Sequence, residues 1–163
     1  MDLIDMQTLP YGEYKWLMVY QDHFTKFIQL RPLRAKMAIE VASAIMDVFS
    51  ILGEPYLLQS DNGREFRNQI LLSFKSMWPD VSFVHGRARH PQSQGSVERA
   101  NADIKKKLEI WMIENKSTKW SVGINFVQLK KKHSHHTGIK CTPHKAVFGF
   151  ETPLGFSSTS YPS

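Results

Sequence analysis

The sequence predicts a mixed α/β domain, a five-stranded sheet flanked by helices, on three observations. Two aromatic and aliphatic runs flank a polar turn near the N-terminus, apolar residues then recur at helical spacing, and short apolar runs alternate with such helices further on. With 163 residues the chain has the size of one domain.

Residues 3–6 supply a first strand, in an apolar and acidic pattern that begins at residue 2. Residues 15–22 and 26–32 read as a hairpin. From 36 to 52, Met37, Val41, Ile45, Val48, Phe49 and Leu52 fall at spacings of three and four, and Gly53 stops the run, which predicts an amphipathic helix. Residues 56–59 form a short strand that ends at Ser60-Asp61-Asn62-Gly63, a turn signal opening a second helix over 65–78. A fifth strand at 81–84 leads into residues 86–95, a basic segment short of large apolar side chains that reads as a mobile loop. A long helix over 96–115 carries Val97, Ile104, Leu108 and Trp111 on one stripe, and a last helix runs from 120 to 133. The expected domain is 1–152, with 153–163, rich in Ser, Pro and Gly, as a tail.

Lys and Arg total 21 against 15 Asp and Glu, a net charge of +6 with seven His besides, which favours an anionic partner. Apolar residues at 42% and charged residues at 22% exclude a collagenous or wholly disordered chain. Cys141 is the single cysteine, so neither an internal disulfide nor a paired-cysteine metal clip can form, and the chain suits a reducing compartment. There is no basic segment followed by an apolar one at the start and no run of 18 apolar residues, so neither secretion nor membrane spanning is expected.

Three acids carry the chemical interest. Asp61 stands where a buried strand gives way to a helix, the place where α/β sheets present ligand-binding groups. Glu98 lies near the start of the long helix, and the third candidate, on the first strand, is Asp2 or Asp5. Hard divalent cations take oxygen ligands, often only one or two carboxylates each, so three acids suffice for two ions. Two such ions polarise a scissile phosphate, activate a water or hydroxyl, and stabilise the leaving oxygen. Taken singly, an Asp at a strand end is more often a helix cap or a turn residue.

Gln59-Ser60-Asp61-Asn62-Gly63-Arg64-Glu65-Phe66 resembles the segment around the second catalytic acid of retroviral and LTR-retrotransposon integrase cores, where an Asp-Asn-Gly-x-x-Phe pattern recurs. The segment 90–101, His-Pro-Gln-Ser-Gln-Gly-Ser-Val-Glu-Arg-Ala-Asn, resembles that family's surroundings of the catalytic Glu, and residues 144–153 resemble the end of retrotransposon cores. The opening Asp-Leu-Ile-Asp-Met-Gln and residues 20–27 resemble domesticated, integrase-derived vertebrate proteins, including those with a KRAB domain elsewhere. The resemblance implies an RNase H-like fold, a D,D,E triad, Mg²⁺ or Mn²⁺ as a pair of ions, and phosphoryl transfer on DNA ends. It matches Asp2 to the first acid, with Asp61 and Glu98 as the others. Asp5, three residues along a strand from Asp2, faces the other side of the sheet and is left as a solvated or turn acid.

For DNA binding, Arg87, Arg89 and His90 in the basic segment and Lys105 on the long helix are the expected phosphate contacts. Lys105 follows Glu98 by about two helical turns and shares its face. Asn62 and Gln94 match family positions near the reacting phosphate. Where the family often has a basic residue one turn after the Glu, this chain has Ala102. Lys106 and Lys107 read as a solvated helix face. Residues 130–136, three Lys, a Ser and three His, read as a basic helix end and turn rather than a zinc site, which needs four well-spaced ligands. Ser, His and Asp are present, but no Gly-x-Ser-x-Gly elbow is.

Two functions follow. One is a metal-dependent core that cleaves or joins DNA strands, and the other is a domesticated, catalytically silent core that binds nucleic acid or protein. The resemblance further implies dimerisation through helices and residence in the nucleus. Because the strand pattern starts at residue 2, a ligand at Asp2 is expected to fray and to hold a metal poorly, so the chain is expected to be either a fragment of a longer protein or impaired in activity by itself.

Overall fold

The computed structural model describes residues 1–9, 11–55, 58–60, 63–77 and 91–151, with backbone alone at 64 and 91–98. Among these, three strands, β1 (Asp2–Asp5), β2 (Trp16–Gln21) and β3 (Ile28–Leu33), pair antiparallel in the order β1-β2-β3. Asp2 stands opposite Val19, and Val19 opposite Leu30. Leu17, Met18, Val19 and Tyr20 are buried in succession, so both faces of β2 are covered.

Helices α1 (Ala38–Leu52) and α2 (Arg64–Met77) cover one face. There Met18, Tyr20 and Leu33 pack with Val41, Ile45, Val48, Phe49, Ile70 and Phe74. The other face carries α3 (Pro91–Glu114) and α4 (Trp120–His133), and its core joins Ile4, Leu17, Val19, Ile28 and Leu30 to Ile104, Leu108, Trp120, Ile124 and Val127. A short α5 (Pro143–Phe148) docks on α4. The result is three layers, helices on both sides of a sheet. No helix among the described residues is long and apolar enough to cross a membrane.

The helix at 36–52 starts two residues later than its periodicity suggests. Met37 is extended at the N-cap, and the Glu40 carboxylate accepts the backbone N–H of Arg34 at 2.6 Å and of Ala35 at 2.9 Å, which fixes the approach outside the helix. Gly53, at φ +78°, ends the helix as expected.

Residues 91–95, expected in the mobile loop, are instead the first turn of α3. Proline at the first helical position has a fixed φ suited to the helix and lacks only an N–H that would be unpaired there anyway. α5 was not expected from the sequence. It is set by Thr142, whose Oγ1 accepts from Lys145 N at 3.1 Å, by Pro143 after it, and by Gly149 at φ +84°. Of the strand expected at 56–59, residues 56 and 57 lie outside the described residues, and Leu58 packs against the α1 and α2 core. The strand at 81–84 and the tail at 153–163 also lie outside them.

On the side of β3 away from β2, the Leu30 N–H donates to Gln128 Oε1 of α4 at 2.6 Å, and Pro32 has no N–H to leave unpaired. Trp120 is fully buried, and its Nε1 donates to the Leu9 carbonyl at 2.8 Å. α3 and α4 approach closely at Gly123, where a Cβ would lie 2.5 Å from Trp111 Cε3 and 2.9 Å from Leu108 Cδ1. Trp111 is itself stacked on Phe126 of α4. Asp103 of α3 is bonded to Lys107 on its own helix and to Lys131 on α4. Burial pushes its carboxyl up, but the two lysines outweigh this and hold it below the ordinary carboxylate value.

Two outcomes follow. Gly123→Ala gains about 1 kcal/mol of helix propensity but drives a methyl into a stacked indole, so a net loss of roughly 1–2 kcal/mol is expected in denaturant unfolding. Because the folded Asp103 carboxyl titrates below the unfolded one, its stabilising effect is complete above the unfolded value and lost as pH falls through the folded one. Thermal melting of the wild type and of Asp103→Asn should therefore differ at pH 7 and converge progressively below about pH 4.

Candidate active site

The register of the sheet puts Asp2 on the face that α3 covers, the face of Ile4, while Asp5 falls on the opposite one. The Asp5 side chain is used locally: Oδ1 accepts the Gln7 N–H at 2.8 Å and Oδ2 accepts Gln7 Nε2 at 3.2 Å. It is exposed at the end of its strand.

Asp2 has a different setting. Its Oδ1 accepts the Leu3 N–H at 2.8 Å, and its Oδ2 accepts Asn101 Nδ2 across from α3. The main-chain nitrogen of Met1 donates to the Gln59 carbonyl at 2.8 Å, which holds the start of β1 beside the segment that leads to position 61. The fraying expected of Asp2 from sequence is thus opposed by two contacts distant in the chain. Ile104 and Leu108, buried against Ile4 and Leu17, seat α3 over this part of the sheet.

Position 98 lies one turn before Asn101 on α3 and therefore on the same side of the helix. Asn101 Oδ1 is buried and has no hydrogen-bond partner among the described residues. A half-buried carboxylate beside an unpartnered amide oxygen is a set of hard oxygen donors. Lys105 is one further turn along α3 and exposed. Gln94, expected in a loop, is on the first turn of α3. Asp61, Asn62, Arg87, Arg89 and His90 lie outside the described residues, as do the side chains of Gln94 and Glu98.

Sequence reasoning missed Asn101. The signal was present in its place three residues after Glu98 within the quoted segment, but its use depends on which strand lies beneath α3. Toward the other end of α4, Lys130, Lys131, Lys132 and His133 form the last turn, as expected for a helix C-terminus.

The three-layer architecture is similar to that of retroviral integrase catalytic cores, and the sequence is similar to retroviral Pol polyproteins. The magnesium complex of the HTLV-2 integrase catalytic core, solved as a trimer, superposes with a TM-score of 0.66 over 84% of this chain and 88% of that one, at 23% identity. Over 161 residues the chain is 42% identical to KRAB-A domain-containing protein 2 of Homo sapiens, a match that covers 99% of this chain and 33% of that protein. It is 29% identical over 150 residues to the Pro-Pol polyprotein of Simian foamy virus type 1, covering 92% of this chain and 13% of the polyprotein. The chain thus spans a third or less of the length of these relatives. No model of a known protein family matches it.

If Asn101 anchors Asp2, Asn101→Leu should release the start of β1. The expected result is a loss of about 1.5–3 kcal/mol, the range of a hydrogen bond to a charged group, with faster amide exchange at Leu3 and Ile4 and unchanged exchange in α1.

Proposed function

We propose that the chain is a metal-dependent polynucleotidyl transferase core acting on DNA ends, with Asp2, Asp61 and Glu98 as the ligands of two Mg²⁺ or Mn²⁺ ions. The observation that carries this reading is the bond from Asn101 to Asp2. It joins the strand bearing the first acid to the helix turn bearing Glu98, while the bond from Met1 to Gln59 draws in the segment that precedes Asp61.

The donors fit a hard cation. The Asp2 carboxylate and the orphaned Asn101 oxygen are oxygen ligands of the kind Mg²⁺ selects. When bound, the ions would supply polarisation of the scissile phosphate and stabilisation of its leaving oxygen. The protein's own part is positional: Asn101 fixes one oxygen of Asp2, Leu3 N–H fixes the other, and packing of Ile104 and Leu108 sets the height of α3 above the sheet. Lys105 is free to meet a phosphate from its exposed turn, with Asn62 and Gln94 orienting the reacting strand and Arg87, Arg89 and His90 holding DNA further out. Residence in the nucleus is part of the same proposal.

A second copy of the chain is part of this reading. Val122, Phe126 and Leu129 are exposed along α4, an apolar stripe suited to a symmetric partner. The related HTLV-2 core has been solved in dimeric and trimeric forms.

The test is a 3′-processing and strand-transfer assay on labelled DNA ends with Mn²⁺, using the chain with and without the sequence that precedes it in its longer relatives. Asp2→Asn, Asp61→Asn and Glu98→Gln should each abolish product. Activity that survives either of the last two changes rules out the triad mechanism. No activity from any wild-type form, with binding to DNA retained, makes the chain a catalytically silent nucleic-acid-binding core.

A further inference from the structure

α5 has little apolar anchorage of its own. Of its residues only Pro143 is buried, and Phe148 at its end is 40% exposed. A helix this short does not persist in water without a tertiary partner. What holds it to α4 is a set of rings. The His144 imidazole stacks on that of His133, in the last turn of α4, with centroids 5.0 Å apart and planes 25° from parallel. Phe148 lies 4.7 Å from His144 and meets Phe27 of the hairpin edge-on at 5.6 Å, where it helps to bury a ring that is 2% exposed.

The protons at this corner can be followed. His144 Nδ1 stands 3.0 Å from the Phe150 carbonyl oxygen, which can only accept, so Nδ1 carries the hydrogen and Nε2 is the atom that gains a proton in acid. Neutral imidazoles stack as other flat rings do, whereas two imidazolium ions at this separation repel.

The charges nearby do not relieve that repulsion. Lys132 adjoins His133, and burial followed by Arg31 of β3 brings its ammonium down to about 8, so it stays largely charged below neutrality. Lys145 of α5 is exposed, and on the hairpin Asp22 is engaged by the Thr25 N–H at 2.7 Å. Glu151, which accepts from the Thr142 hydroxyl at 2.7 Å, favours a charge on His133, but burial, His144 and Lys132 outweigh it and hold that ring below its ordinary value. A docked pair that takes up protons less readily than the free rings loses its hold as pH falls through about 6.5.

We propose that the His133–His144 stack is an acid-released latch: with both rings neutral it holds α5 on the end of α4, and with both charged it lets α5 come away and uncovers Phe27. The latch uses none of the three acids, so it stands or falls apart from the catalytic reading.

Amide protection at Ala146 and Gly149, whose N–H groups donate to the Thr142 and Lys145 carbonyls, reads the docked state in the full chain. Between about pH 7.5 and about pH 5.5, wild-type protection corrected for intrinsic exchange should fall about tenfold, the limit for one proton over one pH unit below the ordinary histidine value. Ile45 in α1 should keep its protection. His133→Phe keeps a ring in the stack and leaves the His144 bond to Phe150 in place, so its α5 protection should stay level across the range, and His144→Phe should do the same. His135 and His136, in the turn between the helices, titrate in the same window. His135→Gln with His136→Gln should therefore still show the wild-type fall. Level protection in the wild type overturns the inference. So does a wild-type fall that persists in both phenylalanine variants, or one that disappears in the double glutamine variant.

Discussion

The constraint on which the rest of the structure depends is that β2 has no face to spare. Four successive residues, Leu17 to Tyr20, are buried, so the sheet cannot stand with one side in water and must have helices on both. The chain meets this by sending α1 and α2 to one face and α3 and α4 to the other, which divides the core into two clusters separated by the sheet. That division fixes the site. Alternation along β1 sends Asp2 toward α3 and Asp5 away from it, and the difference between a carboxylate that receives Asn101 and one that merely closes a turn on Gln7 follows from the period of the strand.

Much of this was legible in the sequence, for identifiable reasons. The hairpin of β2 and β3 is set by apolar runs about a polar turn, and the body of α1 by a periodic apolar pattern that stops at Gly53, so local chemistry decides them. The start of α3 was not legible, because residues 91–95 contain no large apolar side chain and amphipathic periodicity is silent there, although Pro91 is a suitable opening residue. α5 has only six residues, too few for a period to show, and is set by its caps. The opposite orientations of Asp2 and Asp5 could be read from a parity argument. The role of Asn101 could not, since it arises from a helix and a strand that are distant in sequence and meet only when the core forms.

The interface between α3 and α4 shows how the second face is kept in register. Gly123 lets the two helices approach until the indole of Trp111 fills the space a side chain would have taken, and Trp120, buried at the start of α4, ties that helix to Leu9 after β1. Asp103 adds a polar link between Lys107 and Lys131 on the wetter side. Apolar closeness at one point and charge pairing at another together limit how far α3 can slide, and α3 carries both Asn101 and position 98. The distance from the sheet to the helix face is therefore set largely by residues with no part in chemistry.

The bond from Leu30 to Gln128 has a consequence for assembly. A strand at the border of a sheet normally offers a ladder of unpaired amides to any extended segment that passes, and that is how sheets grow between molecules. Here one amide is already occupied by a side chain from α4 and another position, Pro32, has no amide to offer. Recruitment of a foreign strand on the β3 side is hindered at these two positions without a charged residue having to face outward. A partner that approaches this side of β3 meets side chains at both positions, where shape and charge count for more than the indiscriminate pairing of main chains.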